Sequence, residues 1–355
     1  MTVEPAIAAL GAEPMEYHRT PEFSATVLRC ERGLREAADA GPDDRALILT
    51  ASGTAAMEAC VTHLVDPARG AVVIEGGDFG RRFTEMCAFH GIGARQVRVA
   101  PGRSVTAAEL ASAPAAGAGA LLVNHHETST GALHDLELLG RHCRRHGLLF
   151  IVDAIGSFLA DPLSFRDLGI DALIFSSQKA LALPPGLSFV VLSRRAIDQL
   201  GHRRAGSYYF DFGRHLRDLE RGQTPFTPAV GIIRQLARRL DQIGARGASA
   251  IVADTARRAA RFRTGLAGLP YTLFAARPSN AVTALAPTDG RTPAEHVAAL
   301  RRRGFTVCPN GGELGRRIFR VGHLGALTDD DHDRLLAAMA PACRRPEPSL
   351  SLLTP

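Results

Sequence analysis

Short β-rich segments alternate with longer helical patterns between residues 46 and 193. The seven segments are ALILT, AVVIE, ARQVRVA, GALLVN, LLFIVDA, DALIFSS and LSFVVLS. Most of them are separated by a dozen or more residues, which is enough for a helix to return the chain to the same edge of a sheet. The alternation therefore predicts an α/β fold with a mostly parallel seven-stranded sheet that is covered by helices on both faces.

The pattern changes after residue 225. An arginine-rich amphipathic stretch (230–266) precedes three strand-like runs, AVTALAP, GFTVCP and IFRVGHL, and a helical segment from about 329 to 340. We interpret this region as a smaller α+β domain. The predicted divisions are an N-terminal segment (1–22), a large domain (23–235), a small C-terminal domain (236–345) and a flexible tail (346–355) rich in Pro and Ser.

Composition excludes several classes of protein. With 355 residues, of which 46% are hydrophobic and 22% charged, the chain can bury the cores of two domains and is not a disordered tail. Its six cysteines form no CxxC pair and no signal peptide is recognisable, so we expect a cytoplasmic protein with free thiols. The apolar runs are too short or too interrupted to span a bilayer. The net charge of +6 comes from scattered arginines without interleaved aromatic residues, so we predict no nucleic-acid partner.

The chain contains a single lysine, Lys179, among 42 Lys and Arg residues. It follows the apolar strand DALIF and precedes a Pro-Pro-Gly turn, so its amine should emerge at the carboxyl edge of the sheet. Arginine can replace a surface ammonium, but it cannot replace an amine that must lose its proton and attack a carbonyl carbon. We therefore predict that Lys179 forms a Schiff base; the alternative is a surface lysine without a function.

Asp153 ends the run LLFIV, which is apolar on both faces and so predicts a central strand. A buried carboxylate without a partner is costly, so we expect it to meet a cation. The pyridinium nitrogen of pyridoxal 5′-phosphate (PLP) is such a cation. The alternative is an aspartate that caps the following helix. The cofactor is favoured because Asp153 and Lys179 each lie at the end of a predicted strand, and a crossover connects the two strands. This arrangement can bring both side chains to one edge of the sheet.

Two further segments follow predicted strands. Ser52-Gly53-Thr54 opens the helical stretch AAMEACVTHL, where hydroxyl and N–H groups suit a phosphate, although Ser and Thr are also ordinary N-caps. The segment HHETSTG (125–131) follows ALLVN and begins with two histidines. That pair, and the pair His142 and His146, lack a third ligand at a recognisable spacing, so we predict no metal site.

In this order, these segments resemble the class V aminotransferases. These are PLP enzymes of the aspartate aminotransferase fold that include alanine–glyoxylate, serine–pyruvate and 2-aminoethylphosphonate–pyruvate aminotransferases. The resemblance runs from HRTPEF (18–23) to FRVGHLG (319–325) and is most specific in SQKALALPPG, IVDAIGSF and HETSTG. It implies a PLP-dependent transaminase with an amino donor and a 2-oxo acid as substrates.

The resemblance also implies roles for the matching positions. For the cofactor these are Ser52, Gly53, Thr54 and Gln178 at the phosphate, Phe79 and Ile155 on the two faces of the ring, Thr128 at the ring hydroxyl, Asp153 at the ring nitrogen and Lys179 at the Schiff base. Relatives often have Trp or Tyr at the position of Phe79. Thr227, in PFTPAV, matches a residue that reaches the phosphate in the neighbouring subunit, which implies a homodimer with shared active sites. Arg320, in IFRVGHLG, matches the arginine that clamps the substrate α-carboxylate.

The sequence departs from the family pattern near its start. Family members usually have a Pro-Gly-Pro strand and loop before the His-Arg pair, and that segment lines the substrate pocket. This chain reads MTVEPAIAAL there and shows no such motif. We expect cofactor binding to be kept and substrate choice to be affected.

The resemblance implies transfer of an amino group from an amino acid or a 2-aminoethylphosphonate-like amine to a small 2-oxo acid such as pyruvate or glyoxylate. One alternative is a PLP-dependent lyase, desulfurase or other biosynthetic enzyme of the same fold that uses a quinonoid intermediate. Against a desulfurase, Gln178 rather than His precedes Lys179, and Cys308 lies in a strand-like run. A second alternative is a PLP-binding regulator without turnover, which normally has an added DNA-binding domain.

Overall fold

The computed structural model describes residues 2–112, 117–200 and 206–342, so the predicted tail (346–355) lies outside the described residues. The strands are β1 (Arg45–Leu49), β2 (Ala71–Glu75), β3 (Ala94–Arg98), β4 (Ala120–Asn124), β5 (His126–Glu127), β6 (Ala132–Leu133), β7 (Leu149–Asp153), β8 (Ala172–Ser176), β9 (Ser188–Leu192), β10 (Tyr271–Leu273), β11 (Val282–Pro287), β12 (Cys308–Pro309) and β13 (Phe319–Gly322).

The helices connect these strands and cover them. They are α1 (Pro5–Ala9), α2 (Pro21–Ala37), α3 (Gly53–Leu64), α4 (Asp78–Phe89), α5 (Ala107–Ser112), α6 (Leu136–His146), α7 (Phe165–Leu168), α8 (Arg194–Leu200), α9 (Phe212–Leu219), α10 (Val230–Arg246), α11 (Ala248–Thr264), α12 (Pro293–Arg302) and α13 (Asp329–Ala342). Short 3-10 helices lie at Leu10–Ala12 and Leu314–Arg316. None of the helices in the described part of the chain is both long and apolar enough to cross a membrane.

The large sheet has seven strands in the order β1-β9-β8-β7-β4-β2-β3, and each predicted strand segment supplies one of them. Neighbours from β8 to β3 are parallel, whereas β9 runs antiparallel to both β8 and β1. The connection from β8 to β9 contains no helix, and a parallel pair would need a longer crossover. The predicted α/β fold with a mostly parallel sheet is confirmed.

The central strands are buried along their whole length, which explains their near-continuous apolar runs. Because β1, β2, β4, β7 and β8 all run in the same direction, their carboxyl ends meet at one edge of the sheet. The residues that directly follow these five strands therefore lie close together in space. This edge is where the predicted site residues are found.

The C-terminal region forms a four-stranded antiparallel sheet with the order β10-β11-β13-β12. The predicted strands in AVTALAP and IFRVGHL are confirmed, while in GFTVCP only Cys308 and Pro309 form a strand. The amphipathic stretch 230–266 folds as two helices because Gly247, with a φ of +86°, separates them. The predicted boundary between residues 235 and 236 falls inside α10, and the division into domains stays a prediction.

Candidate active site

A cavity of about 180 Å³ lies at the carboxyl edge of the large sheet. Nine of the ten predicted cofactor residues line it: Ser52, Gly53, Thr54, Phe79, Thr128, Asp153, Ile155, Gln178 and Lys179. The remaining lining residues are Met57, Arg82, Asn124 and Gly156. Two larger clefts, of about 540 and 710 Å³, are lined by none of the predicted site residues. The fold thus gathers residues from five separate stretches of sequence at one place.

Asp153 is the last residue of β7 and is only 1% exposed. Its Oδ2 accepts a hydrogen bond from Nδ2 of Asn124 at 2.6 Å, and its Oδ1 accepts one from the backbone N–H of Ile155 at 2.9 Å. Burial nevertheless raises the pKa of Asp153 from 3.8 to about 6. Asp153 does not cap a helix, because the next helix is α7 and its cap is Ser164.

Lys179 lies in the loop after β8, and hydrogen bonds within that loop hold its backbone in place. The hydroxyl of Ser177 donates to the carbonyl of Pro184 at 2.7 Å, and the N–H of Ala182 donates to the carbonyl of Lys179 at 2.9 Å. Burial lowers the pKa of Lys179, and the charges of Cys308 and Asp153 only partly oppose this shift. The amine is therefore more readily neutral than an exposed lysine.

The turn after β1 leads directly into α3. Ser52 is the N-cap of this helix, but its hydroxyl makes no capping hydrogen bond. Gly53 allows a close approach, because a Cβ there would lie 2.3 Å from Cδ1 of Ile155. The helix N-terminus and the hydroxyl of Ser52 therefore face the cavity as donors for an anion.

Glu127 positions the aromatic side of the cavity. Its carboxylate accepts hydrogen bonds from the backbone N–H groups of Phe79 and Gly80, at 3.2 and 3.0 Å, in the first turn of α4. Gly77, just before that helix, allows the contact, because a Cβ there would lie 2.7 Å from Cδ of Glu127. A carboxylate at a helix N-terminus is electrostatically favourable, and here it fixes the place of Phe79.

Arg320 and Thr227 do not line the cavity. Arg320, on β13, donates from Nη1 to the carbonyl of Thr128 at 3.0 Å and from Nη2 to the carbonyl of Pro309 at 2.8 Å, so it borders the cavity through Thr128. Burial lowers the pKa of Arg320. Thr227 is exposed in the loop before α10, and that loop is tied to the end of β1 by a hydrogen bond from the N–H of Ala229 to Oγ1 of Thr50 at 3.1 Å.

Two polar residues of the cavity, Asn124 and Arg82, were not predicted from the sequence. Asn124 is opposite Asp153 in the register of β4 and β7, and only the strand order reveals that these strands are neighbours. Arg82 lies three residues after Phe79 on α4, and residues three apart on a helix are neighbours on its surface. This spacing could have indicated that Arg82 lies beside Phe79 at the cavity.

The chemistry of these groups fits PLP. The buried carboxylate of Asp153 makes no ion pair within the described residues, and this suits a protonated ring nitrogen. The donors at the N-terminus of α3 suit a phosphate, and an amine with a lowered pKa suits an aldehyde. Among the described residues, no group of three or more His, Cys, Asp or Glu side chains is arranged to hold a metal ion.

The sequence matches the family model "Aminotransferase class-V" over residues 11–312. It is 33% identical over 346 residues to the "Soluble hydrogenase, small subunit" of Synechococcus sp., covering 95% of this chain and 88% of that protein. It is 27% identical over 322 residues to the L-aspartate–glyoxylate aminotransferase of Paracoccus denitrificans, covering 88% of this chain and 81% of that protein.

A solved structure shows the same fold. The aspartate aminotransferase of subgroup IV from Thermus thermophilus superposes with a TM-score of 0.90 and 30% identity, covering 96% of each chain. The predicted family, the predicted PLP-dependent transferase fold and the PLP cofactor are confirmed by these similarities. The chain, matched by the family model over most of its length, belongs to the class V aminotransferases.

Proposed function

We propose that this transaminase moves an amino group from an amino acid or a 2-aminoethylphosphonate-like amine to a small 2-oxo acid such as pyruvate or glyoxylate. The observation that supports the proposal most directly is the cavity in which the single lysine of the chain and a buried, unpaired carboxylate meet the N-terminus of α3. The hydrogenase names belong to the relatives that bear them.

Lys179 is the residue we assign to the covalent hold on the cofactor and to proton transfer. PLP, when bound, supplies an electron sink for the bond broken at the substrate Cα. Once its amine is free, Lys179 would take the proton from the substrate Cα and deliver it to C4′ of the cofactor. Because its pKa is lowered, a larger fraction of the Lys179 amine is neutral than in an exposed lysine, and only the neutral amine can accept a proton.

Asp153 is the residue we assign to the ring nitrogen. Asn124 and the N–H of Ile155 fix the two carboxylate oxygens, so the carboxylate cannot turn away. Because burial makes the isolated charge unfavourable, a positively charged partner is strongly preferred over none. The carboxylate therefore holds a proton on the ring nitrogen.

Arg320 is the residue we assign to the acidic group of the substrate. Its two carbonyl contacts hold the guanidinium plane beside Thr128, which lines the cavity. A planar guanidinium binds a carboxylate or a phosphonate with two parallel hydrogen bonds. In this proposal Arg320 binds either the carboxylate of an amino acid or the phosphonate of a 2-aminoethylphosphonate-like amine.

A homodimer completes this proposal. An exposed aromatic cluster lies beside Thr227: Tyr208 is 71% exposed, and the ring of Tyr209 stacks on Phe226 at 4.8 Å. Arg214 covers the ring of Tyr208 at 4.4 Å. Exposed aromatic groups with an arginine are typical of protein interfaces, and a second copy that covers this cluster brings Thr227 to the partner's cavity.

A PLP-dependent lyase or desulfurase is the second candidate because of one observation. Cys308 is exposed and lies opposite Arg320 in the register of β12 and β13, so a thiol flanks the proposed substrate clamp. The four other described cysteines are buried, and burial raises the pKa of each thiol. An elimination product or sulfide, rather than amino transfer, would support this candidate.

The single lysine gives a direct prediction. Borohydride reduction of the PLP-loaded protein should fix one pyridoxyl group per chain on the peptide that contains Lys179, as measured by mass spectrometry. Lys179→Arg keeps the charge but cannot lose its proton, so amino transfer should fall by about 100-fold or more. Label on the N-terminal amine instead, or full activity in Lys179→Arg, would contradict the assignment.

The substitution Asp153→Asn should raise the stability of the cofactor-free protein while it lowers amino transfer. Because the folded pKa of Asp153 is raised, this carboxyl contributes stability below pH 3.8 that is lost as the pH rises to about 6. At pH 8 the cofactor-free variant should be more stable by up to about 3 kcal/mol, with no gain near pH 3.5. Amino transfer should fall by about 100-fold or more.

Denaturant unfolding at the two pH values, with the Asp153→Asn variant and the unchanged protein side by side, measures this difference. One alternative hydrogen bond is available in the variant: if the amide of Asn124 turns over, the new amide can donate to Oδ1 of Asn124, which has no partner. Equal stabilisation at both pH values, or destabilisation at pH 8, would show that the Asp153 charge is not the cause.

Tyr208→Glu should weaken the dimer by about 10-fold or more and lower PLP retention, because it places a charge in the proposed interface. Phe89→Glu is the matched control: Phe89 is 82% exposed but ends α4, at the opposite edge of the sheet from the cavity. Sedimentation velocity over a range of concentrations measures how far the dimer dissociates in each variant. A monomeric unchanged protein, or equal dissociation of both variants, would refute the interface.

A further inference from the structure

Arg82 lies in the cavity one helical turn beyond Phe79. Its Nη1 donates a hydrogen bond to Oγ1 of Thr54 at 3.0 Å, and its Cζ lies 4.9 Å from the centroid of the Phe79 ring. The guanidinium of Arg82 therefore links Thr54, in the first turn of α3, to the aromatic side of the cavity. No role for Arg82 was predicted from the sequence.

Arg82 differs from its neighbour Arg81 in its ionic partners. Arg81 bonds to Asp78 and lies 3.5 Å from Glu85 on the exposed face of α4. Arg82 forms no ion pair with any carboxylate of the described residues; its side chain contacts the Thr54 hydroxyl and the Phe79 ring. Asp153 also lines the cavity, but its carboxylate is hydrogen-bonded to Asn124 and the N–H of Ile155. A partly buried guanidinium that faces a cavity and forms no ion pair is suited to bind an anion.

The other groups at this end of the cavity are neutral. Ser52, Thr54 and Gln178 supply hydrogen bonds, and the α3 N-terminus supplies only a partial positive charge. A phosphate monoester carries between one and two negative charges near neutral pH. The cationic side chains that line the cavity are Arg82 and Lys179, and the proposed function uses the amine of Lys179 elsewhere.

We propose that Arg82 binds the 5′-phosphate of PLP and makes the protein select the phosphorylated cofactor over pyridoxal. This inference rests on the proposed function, because it assumes that the cavity holds PLP. The guanidinium is hydrogen-bonded to Thr54 and packs on Phe79, so on binding the phosphate it would couple the phosphate site to the aromatic side of the cavity. Arg82 is a cofactor-positioning residue and takes no part in proton transfer.

Arg82→Gln tests the proposal in the full-length chain freed of cofactor. Dissociation constants for PLP and for pyridoxal are measured by equilibrium dialysis. PLP binding should weaken by about 10- to 100-fold, the loss expected for a hydrogen bond to a charged group, while pyridoxal binding should change less than about threefold. Arg82→Lys keeps the charge without the planar fork and should restore part of the preference.

Arg81→Gln is the control, because it removes the same charge one position away on the exposed face. Both of its dissociation constants should stay within about threefold of the unchanged protein. Equal weakening of PLP and pyridoxal in Arg82→Gln would overturn the proposal, and so would unchanged PLP binding with a raised KM for the amino donor, which would mark a substrate site. An unchanged protein that binds neither compound would refute the proposed function itself.

Discussion

The buried carboxylate of Asp153 is the constraint on which the rest of the site depends. The carboxylate is held at the end of β7 by Asn124 and the N–H of Ile155, yet it forms no ion pair with a cation among the described residues. Burial makes such a charge costly, and the raised pKa of Asp153 reflects this cost. In the proposed function, the ring cation of PLP would remove this cost.

The order of the strands brings the reactive groups together. β4, β7 and β8 are adjacent and parallel, so Asn124, Asp153 and the loop of Lys179 reach the same edge. Glycines at two positions let the surrounding side chains approach: Gly53 against Ile155 and Gly77 against Glu127. The residues in these contacts come from different parts of the sequence. They form one site because the parallel strands end at the same edge of the sheet.

Much of this architecture follows from the sequence, and what does not follow has physical reasons. The seven strands of the large sheet could be predicted from β-rich segments, most of them apolar because the central strands are buried. An apolar run by itself has no direction, so the antiparallel orientation of β9 is indicated only by its short, helix-free connection to β8. The place of Lys179 in the cavity could be predicted because it is the single lysine of the chain and follows a predicted strand. That of Asn124 could not, because its role depends on which strands are neighbours. The predicted contact of Thr227 depends on a second chain, and its exposure agrees with that expectation without testing it.

Amino transfer at this cavity can be followed directly in the absorbance spectrum of the PLP-loaded protein, recorded as amino donors are added one at a time without a 2-oxo acid. We expect that at least one donor converts the bound cofactor to pyridoxamine 5′-phosphate and releases one equivalent of 2-oxo acid per chain. An unsaturated product or sulfide with the cofactor unchanged, or no conversion by amino acids and 2-aminoethylphosphonate, would contradict it.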